Sequence, residues 1–189
     1  DLLSLSGHKF YGPKGVGCLY ASRSGALSKL NPIQYGGGQQ YGLRPGTLDP
    51  ASIAGLGAAS EIMRLEGPQE RSRLELLRDT LESRLMAAVT GIVRNGAIGQ
   101  RVPNASSLTI EGVDADALCA NLPNLALSAG SACSTGTPEP SHVLRSIGMS
   151  AERAYQTIRL SVGRMTTISD VNDASGQMLS AVNRIRGRR

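Results

Sequence analysis

Leu74, Leu77, Leu81, Leu85 and Val89 recur at steps of three and four residues, the spacing that brings side chains onto one face of an α-helix. A leucine stripe of this length has to be covered, so it commits the chain to at least two packed layers. Gly91 ends the helical pattern, and Gly67-Pro68 stands before it as a break. Upstream, Asp49-Pro50 reads as a helix start, with Asp as the cap and Pro at the first helical position. That first helix is predicted to run to about residue 66. Its small residues Ala54, Gly55, Gly57, Ala58 and Ala59 allow close packing against a neighbour. Two helices are therefore expected, and the break between them is the expected boundary between domains 1–67 and 68–189.

Around these helices the pattern is mixed. Residues 2–5 read as the end of a buried strand that runs into the turn Ser6-Gly7-His8-Lys9, and residues 16–21 read as a second strand. A core strand this near the first residue leads us to expect a missing upstream half. Further strands are predicted at 92–94, 107–110, 125–128 and 157–162. Helices are predicted at 114–121, 140–147 and 170–185, with Ser169 as the cap of the last. This order suggests a small α+β domain with an antiparallel sheet.

Composition narrows the function classes. Hydrophobic residues make up 40% of the 189 and the formal net charge is +5, values suited to a globular chain. No apolar run is long enough to span a bilayer and no secretory leader pattern is present, so a soluble, cytoplasmic protein is expected. Arg184, Arg186, Arg188 and Arg189 crowd the end, where a frayed, solvated tail is expected. One Phe and no Trp leave little for stacking on bases, which argues against nucleic-acid binding. Cys18, Cys119 and Cys133 form no C-x-x-C pair and only His8 and His142 accompany them, so neither a disulfide scaffold nor a metal site is expected.

Four segments could carry chemistry. Ser6-Gly7-His8-Lys9 sets a hydroxyl, an imidazole and an ammonium at a strand end, able to grip a phosphate and hold a reactive amine. Gly12, Pro13, Gly15 and Gly17 follow at once, implying a constrained backbone close to something bulky. Residues 127–138 begin as a strand and become small, polar and glycine-rich, so Cys133 is expected on a mobile, accessible loop. Cys18 and Cys119 are expected to be buried small hydrophobes. Arg159 lies within the apolar strand 157–162, where its guanidinium needs a partner, either a bidentate carboxylate ligand or an intrachain ion pair. Arg44-Pro45-Gly46-Thr47 offers a hydroxyl and a turn amide beside Gly36-Gly37-Gly38, suited to a phosphate or to an ordinary loop.

Taken together these segments resemble the cysteine desulfurases of the NifS/IscS type, within fold-type I of the pyridoxal-phosphate (PLP) enzymes. The matching pieces are Ser6-Gly7-His8-Lys9 with Tyr11-Gly12-Pro13-Lys14-Gly15, Gly36-Gly37-Gly38-Gln39, Arg44-Pro45-Gly46-Thr47, Ser131-Ala132-Cys133-Ser134, Glu139-Pro140-Ser141-His142-Val143-Leu144 and Arg159-Leu160-Ser161. They occur in family order from one end of the chain to the other. The resemblance implies an α/β, aspartate aminotransferase-like fold: the end of a PLP-binding large domain, then an α+β small domain carrying the cysteine loop. It implies that Lys9 holds PLP and moves the substrate's Cα proton, and that Ser6 and His8 bind the cofactor phosphate. It further implies that Thr47 reaches the neighbouring subunit's cofactor in a homodimer and that Arg159 clamps the carboxylate of L-cysteine. Cys133 would take the sulfur as a persulfide, release L-alanine, and pass the sulfur to an iron–sulfur scaffold or a thiolation protein. The family's ring-stacking histidine and the acidic partner of the pyridine nitrogen lie upstream of the lysine segment and are not among these residues. Tight PLP binding by the chain alone is therefore not expected. A selenocysteine lyase on the same scaffold and a non-catalytic, dimerising or partner-binding module are the alternative readings.

Overall fold

Helix α1 (Pro50–Ala88) runs straight through the Gly67-Pro68 pair at which a break is predicted. Its start is as expected: the Asp49 carboxylate accepts from the Ser52 amide (3.2 Å) and hydroxyl (2.6 Å). Those bonds hold the Asp49 carboxyl below the usual carboxylate range. Pro68 denies one hydrogen bond to the Arg64 carbonyl and crowds that turn, at about 3 kcal/mol. Ending and restarting the helix there would orphan about four carbonyls and four amides. No Ser, Thr, Asp or Asn stands between positions 65 and 71 to cap them. One lost bond costs less than two uncapped ends, so the helix continues.

In this computed structural model residues 1–22, 25–97, 99–129 and 140–187 are described. They fall into two compact units, Asp1–Pro68 and Gln69–Arg189.

In the first unit, strands β1 (Leu2–Ser6) and β2 (Gly17–Ala21) pair antiparallel, from Leu2 opposite Ala21 to Ser6 opposite Gly17. The expectation of a buried first strand fails: every residue of β1 is exposed. Leu3 and Tyr20 on one face and Leu19 on the other are all more than half exposed. A two-stranded ribbon brings no second layer of its own, and among the described residues none covers either face. Cys18 is exposed for the same reason, rather than buried as expected. The pairing is nonetheless tight, since a Cβ on Gly17 would sit 2.4 Å from the Leu5 carbonyl oxygen.

The second unit is built on a four-stranded antiparallel sheet in the order β3 (Ile92–Arg94), β4 (Ala105–Ile110), β6 (Thr157–Ser161), β5 (Ser128–Ala129). Alternation along β4 and β6 turns Leu108, Ile110, Ile158 and Leu160 into the core. There they meet the α1 leucine stripe, Leu118 of α2 (Ala115–Ala120) and Val171, Met178, Ala181 and Val182 of α5 (Ile168–Gly187). The opposite sheet face carries Ser107, Thr109, Thr157, Arg159 and Ser161. Strand β5 is shorter than the predicted 125–128 and lies at its end. Two short helices, α3 (His142–Ser146) and α4 (Ala151–Tyr155), precede β6. The second was not expected, although Ser150 caps it by accepting from the Arg153 amide.

Helix α5 begins two residues before the predicted start, and its cap is Thr167 rather than Ser169. The Thr167 hydroxyl and the Asp170 carboxylate each accept the other's backbone N–H, a reciprocal arrangement that satisfies two orphan amides. The end of the helix is not a solvated tail. Arg186 donates to the Thr90 (3.0 Å) and Glu111 (2.7 Å) carbonyls, and Arg184 to that of Asn121 (3.4 Å). Those carbonyls end their own elements and need a donor. Arg188 and Arg189 lie outside the described residues.

One charge cluster ties the loop after β3 to α1. Glu82, whose side chain is 2% exposed, accepts from Arg101 (2.5 Å) and Arg94 (3.1 Å). Burial alone would raise the Glu82 carboxyl, but the two guanidiniums outweigh it and hold it below its ordinary value.

Two outcomes test this account. Replacing Glu82 by Gln takes the counter-charge from Arg94 and leaves Arg101 only Asp79, at 3.5 Å, and urea unfolding at pH 7 should show a loss of roughly 3 kcal/mol. A carboxylate lowered on folding stabilises above its unfolded pKa, about 4.3, and that stabilisation goes as pH falls through the folded value. The gap between wild type and Glu82→Gln should therefore narrow at pH 3; a gap independent of pH contradicts the assignment. In the first unit, Gly17→Ala forces β1 and β2 apart, and amide hydrogen exchange across residues 2–6 should speed up while α5 stays protected.

Candidate active site

The lysine turn is held by backbone geometry. After Ser6 the chain enters a single 3₁₀ turn, Gly7–Phe10, closed at Tyr11 in the left-handed region (φ 70°). The Gly7 amide donates to the Val16 carbonyl and the Gly12 amide to that of Gly7, both at 2.9 Å. Gly7 is buried with no room for a side chain: a Cβ there would lie 3.0 Å from the Pro13 carbonyl oxygen and 3.2 Å from Leu56 Cδ1. Helix α1 presses on the same turn, since a Cβ on Gly55 would meet Pro13 Cγ at 2.5 Å. The bulky neighbour that these glycines imply is thus, in part, the protein's own strand and helix.

Ser6, His8 and Lys9 all lie exposed on this turn. Lys9 is exposed because the turn projects it outward and no described element covers it. The Ser6 hydroxyl caps nothing, and among the described residues Lys9 has no carboxylate partner. A hydroxyl, an imidazole and an uncommitted ammonium within four residues suit a phosphate and an aldehyde, so the donor set fits PLP. Thr47, in the same unit, is exposed just before the α1 cap. The turn amide beside it is taken: Gly46 N–H donates to Gln39 Oε1 at 3.2 Å. Arg44 folds back to donate to the Pro45 carbonyl. No hydrogen bond joins Thr47 to the lysine turn among the described residues.

In the second unit Arg159 is exposed at the middle of β6, opposite Ser107 on one side and Ser128 on the other. The reading of a guanidinium enclosed in an apolar strand is corrected by the pleat: Ile158 and Leu160 point into the core, while Arg159 stands on the polar face. Of its two candidate partners the intrachain ion pair is absent among the described residues. The strand end beyond it is pinned twice. Arg73 of α1 donates to the Gly163 (3.2 Å), Arg164 (2.8 Å) and Thr166 (2.7 Å) carbonyls, and Arg164 pairs with the buried Glu70. These three residues escaped the reading of the sequence; the only signal was Arg164 following Gly163 directly after the strand.

Cys133 and its loop lie outside the described residues. Cys119 is a poor alternative nucleophile: burial, then Asp116 and Asp114, push its thiol up and disfavour the thiolate. Among the described residues no group of three His, Cys, Asp or Glu could hold a metal ion, and no helix is long and apolar enough to cross a membrane.

Comparison with known proteins places this geometry. A cysteine desulfurase of Frankia sp. is 45% identical over 190 residues, covering 98% of this chain and 45% of the relative. A solved NifS-like protein superposes with a TM-score of 0.83 at 29% identity, covering 97% of this chain and 46% of that one. A structure of SspA in complex with cysteine matches at 0.62 and 34%, covering 86% and 44%. The chain thus spans about half the length of the proteins it matches and has the mixed α/β fold of the NifS-like enzymes. The model of the aminotransferase class-V family matches residues 1–173, more than nine-tenths of the chain, and this chain belongs to that family.

Proposed function

We propose that this chain is the lysine- and cysteine-bearing part of a PLP-dependent cysteine desulfurase, a homodimer that takes sulfur from L-cysteine and leaves L-alanine. The observation that carries the reading is the uncommitted donor set Ser6, His8 and Lys9 on one clamped turn. Support comes from the 45% identity to a cysteine desulfurase and the likeness to a protein solved with cysteine.

PLP, when bound, supplies an electron sink for the amino acid's α carbon. Lys9 Nζ would hold the cofactor and would carry the substrate's Cα proton. Ser6 and His8 bind the phosphate, and Thr47 reaches the phosphate held by the neighbouring subunit. Arg159 receives the substrate carboxylate with two parallel N–H bonds and so sets which way the amino acid lies. The Cys133 thiolate attacks the substrate sulfur: an S–S bond forms, the C–S bond breaks, and the electron pair stays with the carbon side, which is protonated to L-alanine. The persulfide on Cys133 then goes to an acceptor, an iron–sulfur scaffold or a thiolation protein. A cytoplasmic location belongs to the same proposal.

Borohydride treatment of the PLP-loaded full-length protein, followed by peptide mapping, should fix the cofactor to Lys9. Cys133→Ser should keep the yellow chromophore and lose the persulfide. Cofactor trapped elsewhere, or a persulfide surviving in Cys133→Ser, overturns the reading. Arg159→Lys keeps the charge but not the fork, so the KM for L-cysteine should rise roughly tenfold or more, as losing a charge-assisted bond of about 1.5–3 kcal/mol requires. An unchanged KM removes Arg159 from the site.

A further inference from the structure

We propose that Ser107 is a second donor to the substrate carboxylate beside Arg159, with its hydroxyl proton left free by a directed hydrogen-bond chain. The proposal rests on the desulfurase reading for the identity of the ligand.

The direction of the chain follows from counting protons. The Arg153 carbonyl can only accept, and Thr157 Oγ1 lies 2.8 Å from it and donates. A second acceptor, Met149 Sδ, stands 3.6 Å from the same hydroxyl and likewise has no proton to give. Thr157 has a single hydroxyl proton, so in its 2.8 Å contact with Thr109 it is the acceptor and Thr109 the donor. Thr109 has then spent its own proton. Both amide atoms of Asn95 lie within reach of Thr109 Oγ1, Nδ2 at 3.0 Å and Oδ1 at 3.2 Å, and of these only Nδ2 can supply it with a proton. Nδ2 is the nearer of the two amide atoms to Thr109 Oγ1. It also lies 3.2 Å from Ser107 Oγ and donates there. Ser107 is thus an acceptor within the protein, and its O–H proton has no acceptor among the described residues.

Ser107 and Arg159 face each other across β4 and β6 on the polar side of the sheet, where directly opposed Cβ atoms are about 5 Å apart. The sheet therefore presents a guanidinium without a carboxylate and a hydroxyl obliged to donate outward. Together they suit one oxyanion: the fork of Arg159 takes two lone pairs of a carboxylate and Ser107 takes a third. Two grips from adjacent strands also fix the rotation of the carboxylate, which Arg159 alone leaves free about its own fork.

The test uses the full-length PLP-loaded enzyme and two readouts, the KM for L-cysteine and the calorimetric Kd for L-alanine. Ser107→Ala should weaken both by roughly ten- to a hundredfold, the loss of one hydrogen bond to a charged group of about 1.5–3 kcal/mol, with kcat within twofold and a melting temperature lowered only by the loss of the Asn95 hydrogen bond. Ser107→Thr, which keeps the hydroxyl, should stay within twofold of wild type. Wild-type KM and Kd in Ser107→Ala overturn the proposal. Equal losses in both variants with a lowered melting temperature reveal a packing role and overturn it too. If the wild type binds L-alanine in a Ser107-dependent way yet releases none from L-cysteine, the carboxylate grip stands and the desulfurase reading falls. If it binds no L-alanine, the grip falls.

Discussion

Covering the α1 leucine stripe is the constraint on which the second unit depends. Five large apolar side chains, worth about 1.5–3 kcal/mol each on burial, require an apolar surface of matching length, and the inner faces of β4 and β6 supply it. A strand that spends every second residue on that core must send the others to the opposite face. The polar row Ser107, Thr109, Thr157, Arg159 and Ser161 is the other half of the same alternation. The surface proposed to hold substrate thus follows from the way the core is closed.

Position on that surface is then fixed by ties at its edges. Arg73 and the Glu70–Arg164 pair hold the chain just beyond β6 against α1. Asn95, at the end of β3, joins Ser107 and Thr109 from the other side. Glu82, with Arg94 and Arg101, anchors the start of the same loop to the helix. Such partly buried charged groups stabilise only when satisfied; here they hold the loops on both sides of the sheet close to one helix. A well-placed guanidinium needs this, because a side chain on a drifting strand cannot hold a substrate to within a fraction of an ångström.

The first unit uses a different device, close backbone contact. Gly7, Gly17 and Gly55 each sit where a Cβ would meet backbone or a proline ring. The turn bearing Lys9 is therefore rigid even though the hairpin it belongs to exposes apolar side chains on both faces. A rigid turn with uncommitted polar groups is preorganised for a ligand, since little conformational freedom remains to be lost on binding.

Periodicity and capping signals in the sequence were enough for the leucine stripe, the Asp49 cap, most strands and the antiparallel small domain, because each depends on neighbours within a few residues. They also singled out Lys9 and Arg159 by residue type and setting. They misjudged Pro68, because whether a helix ends there depends on how many caps its two halves could find. They misjudged the burial of β1 and Cys18, because exposure depends on what packs on top. The role of Ser107 was beyond them altogether: it rests on Asn95 meeting Thr109, on Thr109 meeting Thr157 across 48 residues of chain and on a register that sets Ser107 opposite Arg159. Local chemistry names the groups that can react or bind, whereas the partners that orient them are chosen by strand pairing, which only the folded chain brings about.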